Sequence, residues 1–256
     1  MSTEKESKLN KLLSTQPSGI VLASAWLVEQ GYSLDLQKQY KRSQWFDSIG
    51  TGALIRHGDQ VDYLGGIYAL QYQLGLSVHP AGKTALSLQG KAHYLELSTK
   101  KVQLFGAKKE NLPLWFKKRD WGLSLECKLS GFLPPELGLV EIDHKSFKVK
   151  ISSPARAVME CLYLAPQSQP LMEVFELMEG LNNLRPATVQ SLLESCNSVK
   201  VKRLFLYLAD KAGHEWLNYI NLDKIDLGSG KRAIVSEGVY ISKYQITVPR
   251  ELETAA

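Results

Sequence analysis

Apolar positions follow two different periods along the chain, and the switches between them mark its organisation. Leu9, Leu12 and Leu13 stand at helical spacing, and this first helical segment stops at Pro17-Ser18-Gly19. Ile20-Val21-Leu22 is a short apolar run suited to a strand. Ser24 is positioned to cap a second helix, Ala25 to Gln30, with Gly31 where a C′ glycine belongs. Ser33 then offers a cap for a third helix, roughly Leu34 to Ser43. Trp45-Phe46 and Ile49 are followed by the turn Gly50-Thr51-Gly52 and by Ala53-Leu54-Ile55, which predicts a hairpin.

Helix, short strand, helix, tight turn, helix, hairpin is the order of a winged helix-turn-helix, with Gly31-Tyr32-Ser33 as the joint before the recognition helix. After Gly58 the texture changes. Tyr63 to Leu74 and Lys83 to Gln89 read as helices, with Val78-His79 opening a strand. Short β-like runs follow at Tyr94–Leu97, Val102–Phe105, Gly122–Cys127, Val140–Ile142 and Phe147–Ile151. Helices then take over: Pro154 to Tyr163 capped by Ser153, a stripe from Leu171 to Leu181, one opened by Pro186, and Val199 to Ala212. Strand-like text returns from Ile234 to Val248. The pattern predicts an α+β protein: a winged helix-turn-helix over residues 1–60 and a larger mixed α/β domain over residues 61–256.

An apolar fraction of 44% and a charged fraction of 22% fit a globular chain rather than a disordered one. Met1 to Lys11 is polar and mixed in charge, unlike a signal peptide, and no apolar run could span a bilayer, so a cytoplasmic, non-membrane protein is expected. Cys127, Cys161 and Cys196 are odd in number and far apart, which predicts thiols rather than a disulfide framework or a zinc site. The net charge of +5 permits nucleic-acid binding without demanding it, so the distribution of charge carries more than the total.

The third helix is the sharpest feature. With Leu34, Leu36 and Tyr40 as its packing residues, Gln37, Lys38, Lys41, Arg42 and Gln44 are left for solvent or DNA, and the place of the helix between a capped helix and a hairpin favours DNA over a merely basic solvated face. Gln pairs with adenine and Arg or Lys with guanine in the major groove. Ser33 joins them as an expected DNA-binding residue, and phosphate contacts at the wing tip would come from backbone N–H groups, the Thr51 hydroxyl, or Arg56 and His57 nearby. The wing tip itself carries no charge. Two further basic clusters stand out. Leu114-Trp115-Phe116-Lys117-Lys118-Arg119 mixes aromatics with cations, as nucleic-acid contacts do or as a loop anchored by its aromatics would. Lys200, Arg203, Tyr207 and Lys211 share one face of the Val199 helix, a candidate C-terminal basic surface that also reads as a solvated face.

Ala81-Gly82-Lys83-Thr84 and Gly228-Ser229-Gly230-Lys231 resemble the end of a P-loop, but Ser77 and Ile225 stand where its first glycine belongs. The five histidines share no metal-ligand spacing. No catalytic residue, cofactor or metal is therefore expected. The competing reading is a nuclease-like enzyme delivered to DNA by its winged helix, which metal-dependent DNA cleavage would reveal.

Three segments together resemble the AbiEi antitoxin family of abortive-infection, type IV toxin–antitoxin systems. They are Trp26-Leu-Val-Glu-Gln-Gly-Tyr-Ser33 running on to Trp45, Ser152-Ser-Pro-Ala-Arg-Ala-Val-Met-Glu160, and Val199-Lys-Val-Lys-Arg-Leu-Phe-Leu-Tyr-Leu-Ala209 with His214-Glu-Trp216 and Leu227-Gly-Ser-Gly-Lys-Arg232. The resemblance implies a repressor that binds inverted repeats in its own promoter as double-stranded DNA. It also implies an antitoxin domain that counteracts a nucleotidyltransferase toxin without a stable complex.

Overall fold

A computed structural model describes residues 8–91 and 101–254. In chain order it contains α1 (Lys8–Thr15), β1 (Leu22–Ala23), α2 (Ser24–Glu29), α3 (Leu34–Arg42) and the hairpin strands β2 (Phe46–Gly50) and β3 (Ala53–Arg56). There follow α4 (Tyr63–Tyr68), which runs on as a π-helical turn over Ala69–Gln73, then β4 (His79–Pro80), α5 (Gly82–Leu88), β5 (Lys101–Gly106), α6 (Leu114–Lys118) and β6 (Ser124–Leu129). The hairpin β7 (Leu139–His144) and β8 (Phe147–Ser152) precedes α7 (Pro154–Leu164), α8 (Leu171–Glu179), α9 (Pro186–Ser195) and α10 (Val199–Lys211). The chain closes with β9 (Arg232–Ala233), β10 (Val239–Ile241), β11 (Ile246–Val248) and α11 (Arg250–Thr254). This is an α+β fold, as expected. The strand expected at Tyr94–Leu97 lies outside the described residues.

Two compact units share the chain. The first takes the residues up to Val78 with Glu110–Leu123 and Glu141–Val149; the second takes His79–Lys109, Ser124–Val140 and Lys150 onward. The first unit thus holds residues on both sides of residue 61.

In the first unit β1, β3 and β2 form an antiparallel sheet in that order, with Leu22 opposite Leu54 and Phe46 opposite Arg56. Gln73 completes the hydrogen bonding around β1: its side chain accepts from the Ala23 N–H at 2.7 Å and donates to the Val21 carbonyl at 2.9 Å. Gly65 and Gly66 make α4 thin on one side. A Cβ on Gly65 would collide with the Gly19 carbonyl, and one on Gly66 would fall 2.9 Å from Trp121. Asp62 caps α4 by accepting from the Leu64 and Gly65 N–H groups, and its other oxygen receives His144 Nε2 and Lys145 Nζ at 2.8 and 2.9 Å. Partial burial pushes the Asp62 carboxyl up, but the hydrogen bonds from Lys145 and His144 outweigh it and hold the pKa low.

The second unit is organised around α7, whose residues from Ala155 to Leu162 are all buried. A helix apolar all round belongs inside a core, yet this one carries Arg156 and Glu160. Glu160 accepts hydrogen bonds from Arg156 Nε at 2.8 Å, Ser152 Oγ at 2.7 Å, His79 Nε2 at 3.2 Å and the Gly82 N–H at 3.0 Å. Arg156 also donates through Nη1 to the carbonyls of Pro134, Pro135 and Leu137. Burial pushes the Glu160 carboxyl up; the hydrogen bond and charge of His79, the charge of Arg156 and the Ser152 hydroxyl together overcome it and hold the group below its usual value. Ser153 precedes α7 as its cap residue, as expected, but its side chain makes no capping hydrogen bond.

Packed against α7 is α10, buried from Val201 to Ala209. The basic face expected there is not a free surface. Arg203 is 2% exposed, and its guanidinium donates to the carbonyls of Leu227, Gly228, Gly230 and Gln245. Lys200 donates to the carbonyls of Tyr163 and Ala165 at 2.9 and 2.6 Å, and burial pushes its pKa down. Tyr207 is buried with its hydroxyl on Glu253, and Lys211 lies over the Phe175 ring. The reason is geometric: apolar neighbours cover one side of α10, while the 227–230 loop and α11 cover the other. The Gly228–Lys231 loop likewise turns carbonyls toward a cation, the opposite of a phosphate cradle.

Two stability predictions follow from these ties. Glu160→Gln leaves the buried Arg156 without its counter-charge and should cost about 3 kcal/mol at pH 7. A carboxylate held below its usual 4.5 stabilises the fold above that pH and loses the contribution as pH falls through the folded value. In urea unfolding series, the gap between Glu160→Gln and wild type should therefore narrow below about pH 4.5. Arg203→Ala takes the guanidinium from the carbonyls of Leu227, Gly228 and Gly230, while that of Gln245 keeps the Arg232 N–H, and should cost at least about 2 kcal/mol in the same assay.

Candidate nucleic-acid interface

The helix-turn-helix is built from short-range signals. Gly31 takes a φ of +86°, which an L side chain rarely adopts, and lets the chain turn after α2. Tyr32 then donates its N–H to the Leu27 carbonyl at 2.8 Å, fixing the joint. Ser33 caps α3 as expected, its hydroxyl accepting from the Leu36 N–H. Ser24, expected as the cap of α2, is instead the helix's first residue, and Ala23 takes the cap position because it still belongs to β1.

On α3 the inner stripe differs from expectation. Gln37, expected at DNA, is 4% exposed, and its amide nitrogen donates to the carbonyls of Ser24 at 3.2 Å and Tyr32 at 2.8 Å. It fastens the recognition helix to the turn and to α2 and has no reach to a groove. Leu34, expected in the packing, is 58% exposed. The packing residues are Leu36, Gln37 and Tyr40, the last against Phe46 with ring centroids 5.8 Å apart.

Lys38, Gln39, Lys41, Arg42 and Gln44 are exposed. Lys38 pairs with Asp35 at 3.1 Å, a solvent-exposed contact of small energy. Lys41 and Arg42 have no ion pair among the described residues. Gln44 follows the helix with a φ of +58°, in the left-handed conformation that ends α3. Sequence reasoning passed over Gln39 and the half-exposed Trp45; their signal was their place off the 33-36-37-40 stripe.

The wing is the β2–β3 hairpin, bulged between Ser48 and Gly50. Thr51 is exposed at its tip. Arg56, expected to contact phosphate, is half-buried and donates to the carbonyls of Leu13 and Gln16, closing the C-terminal end of α1. The charge missing from the wing tip stands next to it. A Cβ on Gly50 would lie 3.0 Å from the Cβ of Trp115, so α6 packs on the wing. Trp115 and Phe116 are buried and Lys117 and Lys118 are exposed. Arg119 lies over the Trp121 ring. Lys200, Arg203, Tyr207 and Lys211 sit in the second unit, engaged as described above. Among the described residues no helix is long and apolar enough to cross a membrane.

In the comparisons with known proteins, no curated sequence matches the chain. The fold is shared with the crystal structure of RV2827C protein from Mycobacterium tuberculosis, at a TM-score of 0.55 and 13% identity over 93% of this chain and 88% of that one. Residues 5–97 match the family model of the transcriptional regulator AbiEi antitoxin N-terminal domain. Residues 99–249 match that of the transcriptional regulator AbiEi antitoxin of the type IV toxin–antitoxin system. With both models matched in sequence order, one beginning two residues after the other ends, this chain belongs to the AbiEi antitoxin family of transcriptional regulators.

Proposed function

We propose that the protein represses its own promoter through the winged helix of residues 1–60 and serves as an antitoxin through residues 61–256. It binds inverted repeats of double-stranded DNA. It counteracts a cognate nucleotidyltransferase toxin without holding it in a stable complex, and it acts in the cytoplasm by binding rather than by catalysis.

The observation that carries this reading is the outer face of α3, where Lys41 and Arg42 stand exposed and, among the described residues, without an ion pair, in a chain of a transcriptional-regulator family. Lys38, Lys41, Arg42 and Gln44 form the groove-reading set, with Ser33 and Thr51 at its margins. Gln37 and Arg56 belong to the scaffold that presents them. Lys117 and Lys118 supply the phosphate contacts that the uncharged wing tip lacks.

Gel-shift titration of DNA upstream of its own gene, across a salt series, tests the proposal. Wild type should bind selectively. Lys41→Ala/Arg42→Ala should abolish selectivity. Lys117→Ala/Lys118→Ala should weaken all sequences alike and flatten the log–log salt slope by about 2. Unselective binding by wild type would sink the repressor reading, and cleavage of the DNA with Mg²⁺ present would sink the non-catalytic one. Gln37→Ala should lower the thermal stability by about 1–3 kcal/mol, while base preference in the same gel shifts stays that of wild type.

A further inference from the structure

Leu34 opens α3 directly after its cap residue Ser33. Its side chain can neither donate nor accept a hydrogen bond, yet 58% of the residue is open to water. A single exposed leucine is ordinary on a protein surface; the face on which this one stands is not. At about 3.6 residues per turn, Leu34, Lys38, Lys41 and Arg42 fall within about 100° of arc on α3. Leu36, Gln37 and Tyr40, which hold the helix to its neighbours, lie on the other side. The outer face thus presents one apolar side chain at the N-terminal end of the helix, followed by three exposed cations.

That combination narrows what the face can meet. Its cations repel a second copy of the same face and attract a polyanion. One leucine side chain offers far less apolar area than a stable protein–protein interface buries. Asp35, the one carboxylate of α3, is turned about 100° away from Leu34 and is paired with Lys38. A recognition helix in the major groove reaches base edges with its N-terminal residues, which puts Leu34 at the bases. The groove displays donors, acceptors and one apolar group, the C5-methyl of thymine. Only that group matches a leucine.

We infer that Leu34 is a specificity-determining residue that packs on the methyl group of one thymine in each operator half-site. The inference rests on the DNA-binding reading of α3 and adds to it the one base feature that cations and amides do not recognise. The contact removes both the leucine and the methyl group from water. Cytosine at the same position lacks the methyl and turns its amino group to a side chain that cannot accept from it. Lys38, Lys41 and Arg42 hold the helix in the groove, and Leu34 reads the position at its leading end.

Gel shifts of the full chain on the DNA upstream of its own gene, with thymines replaced one position at a time by uracil, test the inference. Uracil differs from thymine only in lacking the methyl group. At one thymine per half-site the replacement should weaken wild-type binding about fourfold, the worth of one buried methyl group. Leu34→Ala should bind the thymine DNA more weakly than wild type and the thymine and uracil forms equally. Leu34→Met, equally apolar and of similar size, should keep the wild-type difference. Both variants should melt as wild type does, because the side chain they change is exposed. Selective wild-type binding with no uracil-sensitive position, or with a sensitivity that Leu34→Ala retains, overturns the inference and leaves the repressor reading standing. Wild-type binding without selectivity overturns both.

Discussion

A carboxylate without access to water stays charged only where its surroundings replace every hydrogen bond that water would supply. Glu160 meets that condition with four donors from four parts of the second unit: Arg156 one turn back, Ser152 at the end of β8, His79 in β4 and the backbone of Gly82 at the start of α5. The constraint runs outward from there. Arg156 turns Nη1 to the carbonyls of Pro134, Pro135 and Leu137, so the charge that neutralises Glu160 also holds that loop. Shift any of these segments and a buried charge loses a partner, a penalty far larger than the value of a single hydrogen bond. Ser152, Arg156 and Glu160 in the segment Ser152–Glu160 are thus one device.

Arg203 works by the same rule on α10, with carbonyls in place of a carboxylate. Three of its bonds hold the 227–230 loop against the helix and the fourth reaches Gln245. Both helices carry a polar residue where a core position would otherwise be apolar, and in both it fixes irregular chain that has no hydrophobic period of its own. Irregular backbone needs such anchors because its own N–H and C=O groups do not pair in a ladder.

The order of elements in the winged helix was legible because its punctuation is local: Gly31 supplies the turn, Ser33 the cap, and Gly50 and Gly52 the hairpin. The side on which each polar residue falls was less legible. Gln37 shares a stripe with Ser33, Leu36 and Tyr40, and helical arithmetic alone would place it inward; its polarity suggested otherwise because an amide is seldom buried unless two carbonyls await it. The face of Lys200, Arg203, Tyr207 and Lys211 fails for another reason. Periodicity tells which residues lie together, not what the distant 227–230 and 250–254 segments bring to cover them. The segment around Trp115 was open to two readings, a nucleic-acid contact or a loop anchored by its aromatics; it is a short helix with Trp115 and Phe116 buried, and its neighbour, the wing at Gly50, lies more than sixty residues upstream, beyond any local pattern.

The chain passes from one compact unit to the other four times before it settles in the second. A ribosome therefore releases the winged helix well before it releases Glu110–Leu123 and Glu141–Val149, the last pieces of the same unit. The first unit reaches its finished form only after more than half of the polypeptide has been made. Recombination meets the same restriction: no single crossover can exchange one unit intact.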